Sequence, residues 1–472
     1  MLTLGDVVSA MGVEHDGLAQ PIGETVVDSR QISPGGMFVA LPGETLDGHD
    51  YVEDAFQRGA AVALIEQPLA ADLPTLDLRG RKETVSSDEA VPPIALLVDD
   101  SLKALQAIAG YWRRQLDVRV IGITGSVGKS TTKELTAEVL SQRFQTLKNP
   151  GNLNNEIGLP LTLLRLGERH QRAVLEMGFY VPGEISLLCD LSLPHVGVVT
   201  NVSQVHMERA GSMEAIIKGK SELVENLPPA PEGTAILNFD EPLVKEMADR
   251  TEASVFFYGL SPEADLWASE AEGLGLEGVR FVLHHKGDQL HIRVPLLGRH
   301  SVHTALRAAA VGVVEGLTWG EIIAGLQGTH AQLRLVAVNG PEGALILDDT
   351  YNAAPPSTLA ALNLLEELEG RRVAVLGDML ELGEFEERGH RMVGGRAAEI
   401  VDVLVTVGPR AHWIAEEARR AGLTPDRIVE VDNSDAALEY LTGRIGPGDV
   451  VLIKGSHGMS MDRIVAELEV PA

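Results

Sequence analysis

From about residue 118 onward, short runs of β-branched and aliphatic residues alternate with longer stretches whose apolar residues recur at helical spacing. The runs predict strands over 118–124, 173–177, 196–201 and 234–238, then over 344–349, 372–377, 403–407 and 449–453. Most are nearly continuous apolar segments, as expected of parallel strands covered on both faces by helices. After the first of them, Leu135, Val139 and Leu140 fall on one face of a predicted helix. The alternation reads as α/β and doubly wound.

The first 100 residues break the pattern. They are richer in turns, and the stretch 69–93 mixes Pro, Asp, Glu, Ser and Lys without periodicity, which predicts an exposed, mobile loop. An apolar run over 94–98 and a helix starting near Ser101 follow. A second break falls at Gly328-Thr329-His330, after a helix pattern over Trp319–Leu326. The chain of 472 residues is too long for one ordinary core. It divides into three segments: 1–100, 101–329 and 330–472.

Composition narrows the class. Apolar residues make up 44% and aromatics only 4%, so aliphatic side chains fill the interior. The formal charge of -29 disfavours nonspecific binding to nucleic acid or an anionic membrane, while leaving room for a local basic pocket. The single cysteine, Cys189, excludes an internal disulfide and a multi-cysteine metal site, and its apolar neighbours predict a buried thiol. Met1–Asp6 lacks the basic and apolar pattern of a signal peptide, and no apolar run is long enough to span a bilayer. A cytoplasmic protein with small-molecule substrates, and no nucleic-acid partner or membrane span, is the expectation.

The sharpest local signal is Ile121-Gly122-Ile123-Thr124-Gly125-Ser126-Val127-Gly128-Lys129-Ser130-Thr131. An apolar strand runs into a glycine turn, and Lys-Ser opens a helix. Glycines at 125 and 128 let backbone N–H groups face a phosphate, and the helix start adds partial positive charge. Lys129 then reaches terminal phosphates and the Ser130 hydroxyl suits Mg²⁺. A tight turn before a helix accounts for the glycines but not for Lys129-Ser130. The loop alone does not separate kinase, ATPase and ligase.

The shortened form Thr-Gly-x-x-Gly-Lys-Ser-Thr resembles that of the Mur ligases and their folylpolyglutamate synthase relatives. Further ordered segments extend the likeness over nearly the whole chain: Asn152–Pro160, Glu176-Met177-Gly178, Thr200-Asn201-Val202 with His206, Leu347–Ala353, Val375–Gly383 and Lys454-Gly455-Ser456. Within the family they resemble the member that adds D-alanyl-D-alanine to UDP-N-acetylmuramoyl-tripeptide. The resemblance implies an ATP- and Mg²⁺-dependent ligase acting through an acyl phosphate, in bacterial cell-wall synthesis and as a monomer. Its fold is a UDP-substrate domain, a central phosphate-loop domain and a C-terminal Rossmann-like domain. A carboxylate is a poor electrophile, and phosphorylation gives it a leaving group; two anions must then meet in line, which demands cations.

Residue by residue, the resemblance makes Gly125, Ser126, Val127, Gly128, Lys129, Ser130 and Thr131 the phosphate contacts. Glu176, at a strand's carboxyl end, shares Mg²⁺ with Ser130, and His206 holds a second ion. Lys220 corresponds to a lysine carbamylated by CO₂, with Lys218 as the alternative. Lys129, Glu176, His206 and Lys220 form the catalytic set. His300, Ser301 and Thr304 stand where adenine is read, although the family carries Asn at the places of Ser301 and Thr304. Arg334 and Asp349 approach the nucleotide. Substrate contacts fall on Ser29, Arg30, Asp47, Gly48, His49, Asn152, Asn155, Tyr351, Asn352, Lys454 and Ser456. His457-Gly458 follows Ser456 where an Arg is usual.

Each of these has a plainer reading as well. Asn152 and Asn155 suit turns equally, Arg30 suits an internal salt bridge, a strand-end Asp often caps a helix, and Lys220 suits a solvated helix face. A sister ligase adding one amino acid is the nearest rival, but no Asp-Asn-Pro-Arg acceptor motif occurs. A nucleotide-dependent binding protein without catalysis is the rival of another class.

Overall fold

The computed structural model describes residues 1–43, 46–69, 73–204, 207–328 and 335–470. It contains two compact units, one of residues 1–122, 144–178 and 183–195, the other of residues 123–143, 179–182 and 196–472.

The first unit holds a parallel sheet in the order Thr25–Val26, Met37–Val39, Val62–Ile65, Ile94–Leu97, Thr75–Asp77. Val62–Ile65 and Ile94–Leu97 are buried at every position, as their unbroken apolar runs require. The segment 69–93 is not the structureless loop its composition predicts. Thr75–Asp77 joins the sheet as an edge strand, Val85–Ser86 pairs with His15–Asp16, and Leu76, Leu78, Val85 and Ala90 are buried. Short strands one apolar residue deep leave no periodicity to read.

The helix Ser101–Arg114 starts where expected, its N-terminus capped by the Asp100 carboxylate accepting from the Lys103 N–H at 2.9 Å. Arg113, near its end, donates to three backbone oxygens, those of Ser192, Leu116 and Val118, at 2.8, 2.9 and 2.6 Å. That fork fixes the entry into the strand Arg119–Thr124, which carries the phosphate loop at its end. Thr146–Lys148 pairs in parallel with Arg172–Glu176, and the helix Glu184–Ser192 buries Cys189.

In the second unit Val196–Val199, Thr234–Asn238, Ser254–Gly259 and Leu266–Gly273 run parallel. Val279–His285 and Asp288–Val294 then extend the sheet antiparallel. The last four of these six strands are absent from the sequence expectation beyond Thr234–Asn238. Leu266–Gly273 and Asp288–Val294 carry charged residues at exposed positions rather than a continuous apolar run; the apolar Ser254–Gly259 is legible in principle, and the sequence reading missed it. The helices Lys129–Ser141, Ser301–Val314 and Trp319–Leu326 pack together, with Leu135, Val139 and Leu140 buried as their spacing requires. A capping box of Thr318 and Glu321 starts the third helix.

A second sheet in this unit has the order Val336–Asn339, Leu345–Asp349, Asp449–Lys454, Arg371–Gly377, Val403–Val407, Ile428–Val431, with only the first strand antiparallel. Alternate residues feed two cores: Leu347, Ala374, Leu376 and Leu452 face one layer of helices, Ile346, Val373, Val375 and Ile453 the other. Asp349 and Lys454 end adjacent strands at the carboxyl edge, where open α/β sheets gather ligands.

Candidate active site

The phosphate loop is built by a clamp. Gly125 and Gly128 take φ values of 142° and 82°, a region that side chains disfavour. A Cβ at Gly125 would stand 1.9 Å from Thr200 Oγ1. That closeness exists because Thr200 Oγ1 donates to the Val127 carbonyl at 2.8 Å. Asn201 brackets the same residue, its Oδ1 accepting from Val127 N at 2.9 Å and its Nδ2 donating to Val127 O at 3.1 Å. Ser126 Oγ in turn bonds both the carbonyl and the N–H of Ser203, at 3.2 and 2.9 Å. Thr200 and Asn201 are quoted in the sequence resemblance without a role; here they shape the loop.

Lys129 opens the helix Lys129–Ser141 and donates to the carbonyls of Gly125 and Ser126 at 2.9 and 3.3 Å. Its ammonium therefore lies over the loop. Ser130 is buried beside it. Ser126–Thr131 form one wall of a cavity of about 350 Å³. His300, Ser301, Thr304 and Asn238 line another side, while Asp349, Asn352 and Lys454 contribute from the edge of the second sheet.

At the positions where the sequence resemblance implies that adenine is read, Ser301 Oγ donates to Leu297 O at 2.7 Å, and Thr304 Oγ1 accepts from Arg307 Nη2 at 2.8 Å. Both hydroxyls thus have partners within the protein. His303 follows on the same helix, with Nε2 3.8 Å from Asp240 Oδ2. Burial, and then the Arg307 charge, hold its imidazole down to about 4 against the opposing pull of Asp240. The sign follows from linkage: between the ordinary 6.5 and about 4 the unfolded chain binds the proton and the folded chain does not. The His303 contribution to stability is thus intact above 6.5 and lost as pH falls through that window. A His303 ring titration by NMR is expected to give a midpoint near 4; a midpoint near 6.5 would contradict the burial argument.

The carboxyl edge of the second sheet unites two residues that the sequence reading assigned to different ligands. Lys454 Nζ donates to Asp349 Oδ2 at 2.7 Å and to Asn352 O at 2.8 Å, with Lys454 only 2% exposed. Ser456 Oγ accepts from Leu380 N at 2.9 Å and donates to Ala353 O at 3.4 Å, tying the loop after Arg371–Gly377 to the cavity wall. Asn352 Oδ1 accepts from Ala353 N, and the Tyr351 ring lies 6.1 Å from that of His457.

Lys220 is 1% exposed on the helix Met213–Glu225, and its Nζ sits 4.9 Å from the centre of the Phe179 ring. Phe179 approaches so closely because position 219 is glycine; a Cβ there would stand 1.8 Å from a ring carbon. Burial, and then the Lys129 charge, push the Lys220 amine well below its usual value. The amine has no hydrogen-bond acceptor or ion pair among the described residues. Lys218 is exposed and has no such environment.

Within the first unit, Glu176 ends the strand Arg172–Glu176 and is 1% exposed. Asn149 brackets its backbone, accepting from Glu176 N at 2.9 Å and donating to Glu176 O at 3.2 Å. Asn154 Nδ2 donates to Glu176 Oε1 at 2.8 Å. The sequence reading singled out Asn152 and Asn155 and missed Asn149 and Asn154. Asn155 instead accepts from the N–H groups of Ile157 and Gly158 at the start of a helix, and Asn152 is exposed. Only pairing with a residue more than twenty positions away distinguishes Asn154 from its neighbours.

At the other end of this unit Asp28 grips the Arg30 guanidinium through Nε and Nη2, at 2.9 and 2.8 Å, and these bonds hold the Asp28 carboxyl down at about 2. Ser29 between them is buried. His49 Nε2 accepts from Glu66 N at 2.9 Å, so Nδ1 carries the proton toward Asp47 Oδ1 at 2.6 Å. Gly48 N donates to Leu41 O at 2.9 Å. Arg334 and His206 lie outside the described residues, as do Glu44 and Thr45. Among the described residues no three His, Cys, Asp or Glu side chains cluster in a metal-binding arrangement.

Three family models match in succession: Mur ligase family, catalytic domain over residues 22–112; Mur ligase middle domain over 123–312; and Mur ligase, glutamate ligase domain over 333–457. The chain is 36% identical over 446 residues to the UDP-N-acetylmuramoyl-tripeptide--D-alanyl-D-alanine ligase of Bacillus subtilis, covering 93% of this chain and 92% of that one. It is 34% identical to the enzyme of the same name from Escherichia coli, covering 99% and 98%. Among solved structures, MurF from Acinetobacter baumannii superposes with a TM-score of 0.83 at 30% identity, covering 98% and 97%. MurF ligase from Thermotoga maritima in complex with ADP gives 0.77 at 27%, covering 94% and 96%.

Proposed function

Because the chain belongs to the Mur ligase family, as three successive α/β domains and full-length relatives show, we propose how its own residues divide the work of the ligation. It is an ATP-dependent ligase that joins D-alanyl-D-alanine to UDP-N-acetylmuramoyl-tripeptide in peptidoglycan synthesis. The observation that carries the residue assignment is the cavity lined jointly by the phosphate loop and by the edge of the second sheet.

The loop N–H groups, held in place by Thr200 and Asn201, receive the ATP phosphates, and Lys129 turns from the loop carbonyls to the terminal phosphates. Asp349 faces the same cavity, and Arg334 is assigned beside the γ-phosphate. The tripeptide carboxylate takes the γ-phosphoryl group with ADP leaving. The dipeptide amine then forms the C–N bond as phosphate departs and the amine's proton passes to a base. Excluding water from the acyl phosphate is the cavity walls' part.

Ser130, Glu176, His206 and a carbamylated Lys220 would hold magnesium, and the hydroxyl, carboxylate and carbamate oxygens are donors that suit it. When bound, the ion neutralises phosphate charge. The buried amine of Lys220 supports the modification, since a neutral amine is what adds to CO₂: the Nζ–C bond forms and one proton leaves to solvent. Segment 1–100 is assigned to the UDP end of the substrate, where Asp28 sets the direction of the Arg30 fork and His49 fixes Asp47. Segment 101–329 takes ATP, and 330–472 completes the site with Tyr351, Asn352, Lys454 and Ser456 toward the peptide. No helix among the described residues is long and apolar enough to cross a membrane. A monomer working in the cytoplasm fits this reading.

Mixing the protein with ATP, Mg²⁺ and UDP-N-acetylmuramoyl-tripeptide is expected to release phosphate only when D-alanyl-D-alanine is present, with the pentapeptide product visible by mass spectrometry. Release with a single amino acid instead would assign a sister activity, and nucleotide binding without turnover over all amines a non-catalytic role.

A further inference from the structure

Arg307 lies on the helix Ser301–Val314, one turn beyond Thr304, and its side chain is 4% exposed at the wall of the cavity that the phosphate loop lines. Nη2 is committed to Thr304 Oγ1, and the guanidinium carbon lies 6.0 Å from the centre of the Tyr258 ring. The Nε–H is buried without an acceptor among the described residues. Asp240 and Glu241 line the same cavity, but neither forms an ion pair with Arg307 among the described residues. Burial, and then the neighbouring Asp240 charge, push Glu241 toward its neutral form against the pull of the Arg307 charge, which leaves Glu241 a weak, unbonded counter-ion.

A buried guanidinium without an anion is unfavourable, because desolvation is not offset by a paired charge. A buried N–H without an acceptor adds to that cost. Arg307 carries both at one position. The direction of the missing partner is also given. A Cβ placed on Gly128 would stand 3.2 Å from Arg307 Nη2, so the guanidinium lies against the loop whose N–H groups face phosphate. An acceptor on a base edge would satisfy the free Nε–H but leave the charge unpaired; a phosphate oxygen satisfies both.

We propose that Arg307 is a nucleotide-binding residue whose guanidinium pairs with a phosphate of the bound ATP, supplying the anion that its buried position lacks. The inference rests on the reading of this cavity as the ATP site. It also explains why Ser301 and Thr304 can stand at the adenine-reading positions with their hydroxyls turned to protein partners. Thr304 orients Arg307, and part of the nucleotide's hold moves from the base to the phosphates.

The test compares the full-length protein with its Arg307→Met variant, which keeps the aliphatic stem, by titrating each with MgADP and with adenosine and by melting each without ligand. The MgADP dissociation constant is expected to rise about ten- to a hundredfold, the range of a charge-assisted bond to phosphate. Adenosine affinity should be unaltered and the ligand-free melting temperature should not fall. Arg307→Lys should recover part of the MgADP affinity. Unchanged MgADP binding overturns the inference. An equal loss for adenosine would make Arg307 a base contact, and a lower melting temperature in step with weaker MgADP binding would make it structural; both also overturn it. Failure of the unmodified protein to bind MgADP would instead sink the ATP-site reading itself.

Discussion

Replacing Lys220 with Ala is expected to lower turnover by about two to three orders of magnitude, the range for losing one preorganised charge in an active site. Short carboxylic acids should restore part of it. The expectation follows from the environment: the amine is buried against Phe179, has no anionic partner among the described residues, and is pushed toward its neutral form. A protonated lysine there would be an unpaired buried charge. The proposed carbamate would turn it into an anion able to meet a cation, and a small carboxylate could occupy the same volume once the side chain is gone. Steady-state rates with and without acetate or formate decide the matter. Full activity in the alanine variant would remove the carbamate from the reading, and a loss accompanied by unfolding and no rescue would leave Lys220 a packing residue.

The second large effect concerns stability. Asp349→Ala leaves the Lys454 ammonium buried with only the Asn352 carbonyl, and breaking one side of a buried pair costs about 3–5 kcal/mol. Unfolding of the C-terminal sheet in urea should move to a clearly lower midpoint. The double variant Asp349→Leu with Lys454→Met removes both charges and should recover much of that loss, because neither partner is stranded. An Asp349→Ala midpoint equal to the unmodified protein would show that water or another group already satisfies Lys454. Ligation should fail in the double variant even if its fold is regained, since both side chains line the cavity that the phosphate loop walls.

What could be read from the sequence followed from the physics of each element. The strands ending at Thr124, Glu176, Asn238, Asp349, Gly377 and Lys454 are buried on both faces, so their apolar runs announce them. The strands Leu266–Gly273 and Asp288–Val294 have one wet face, and their mixed polar composition hides them. The phosphate loop was legible because its chemistry is local, the stretch from Gly125 to Ser130 supplying turn, cation and hydroxyl. The clamp that shapes it was not, because Thr200 and Asn201 lie more than seventy residues away. Lys454 and Asp349 are 105 residues apart, and only the parallel pairing of their strands makes them one unit. Asn154 and Asn155 are neighbours with different tasks, one on a carboxylate and one on a helix start. Composition does not separate such a pair; backbone geometry does.

The grip of Thr200 and Asn201 on the Val127 peptide carries a thermodynamic consequence. Four bonds already hold residues 126 and 127 through Asn201 and Thr200, so an arriving triphosphate has little chain to organise. The entropy of arranging that segment is spent during folding, and association is correspondingly cheaper. The cost surfaces elsewhere: the shape of the loop depends on a threonine and an asparagine more than seventy residues away, so replacing either would return that ordering cost to the binding step.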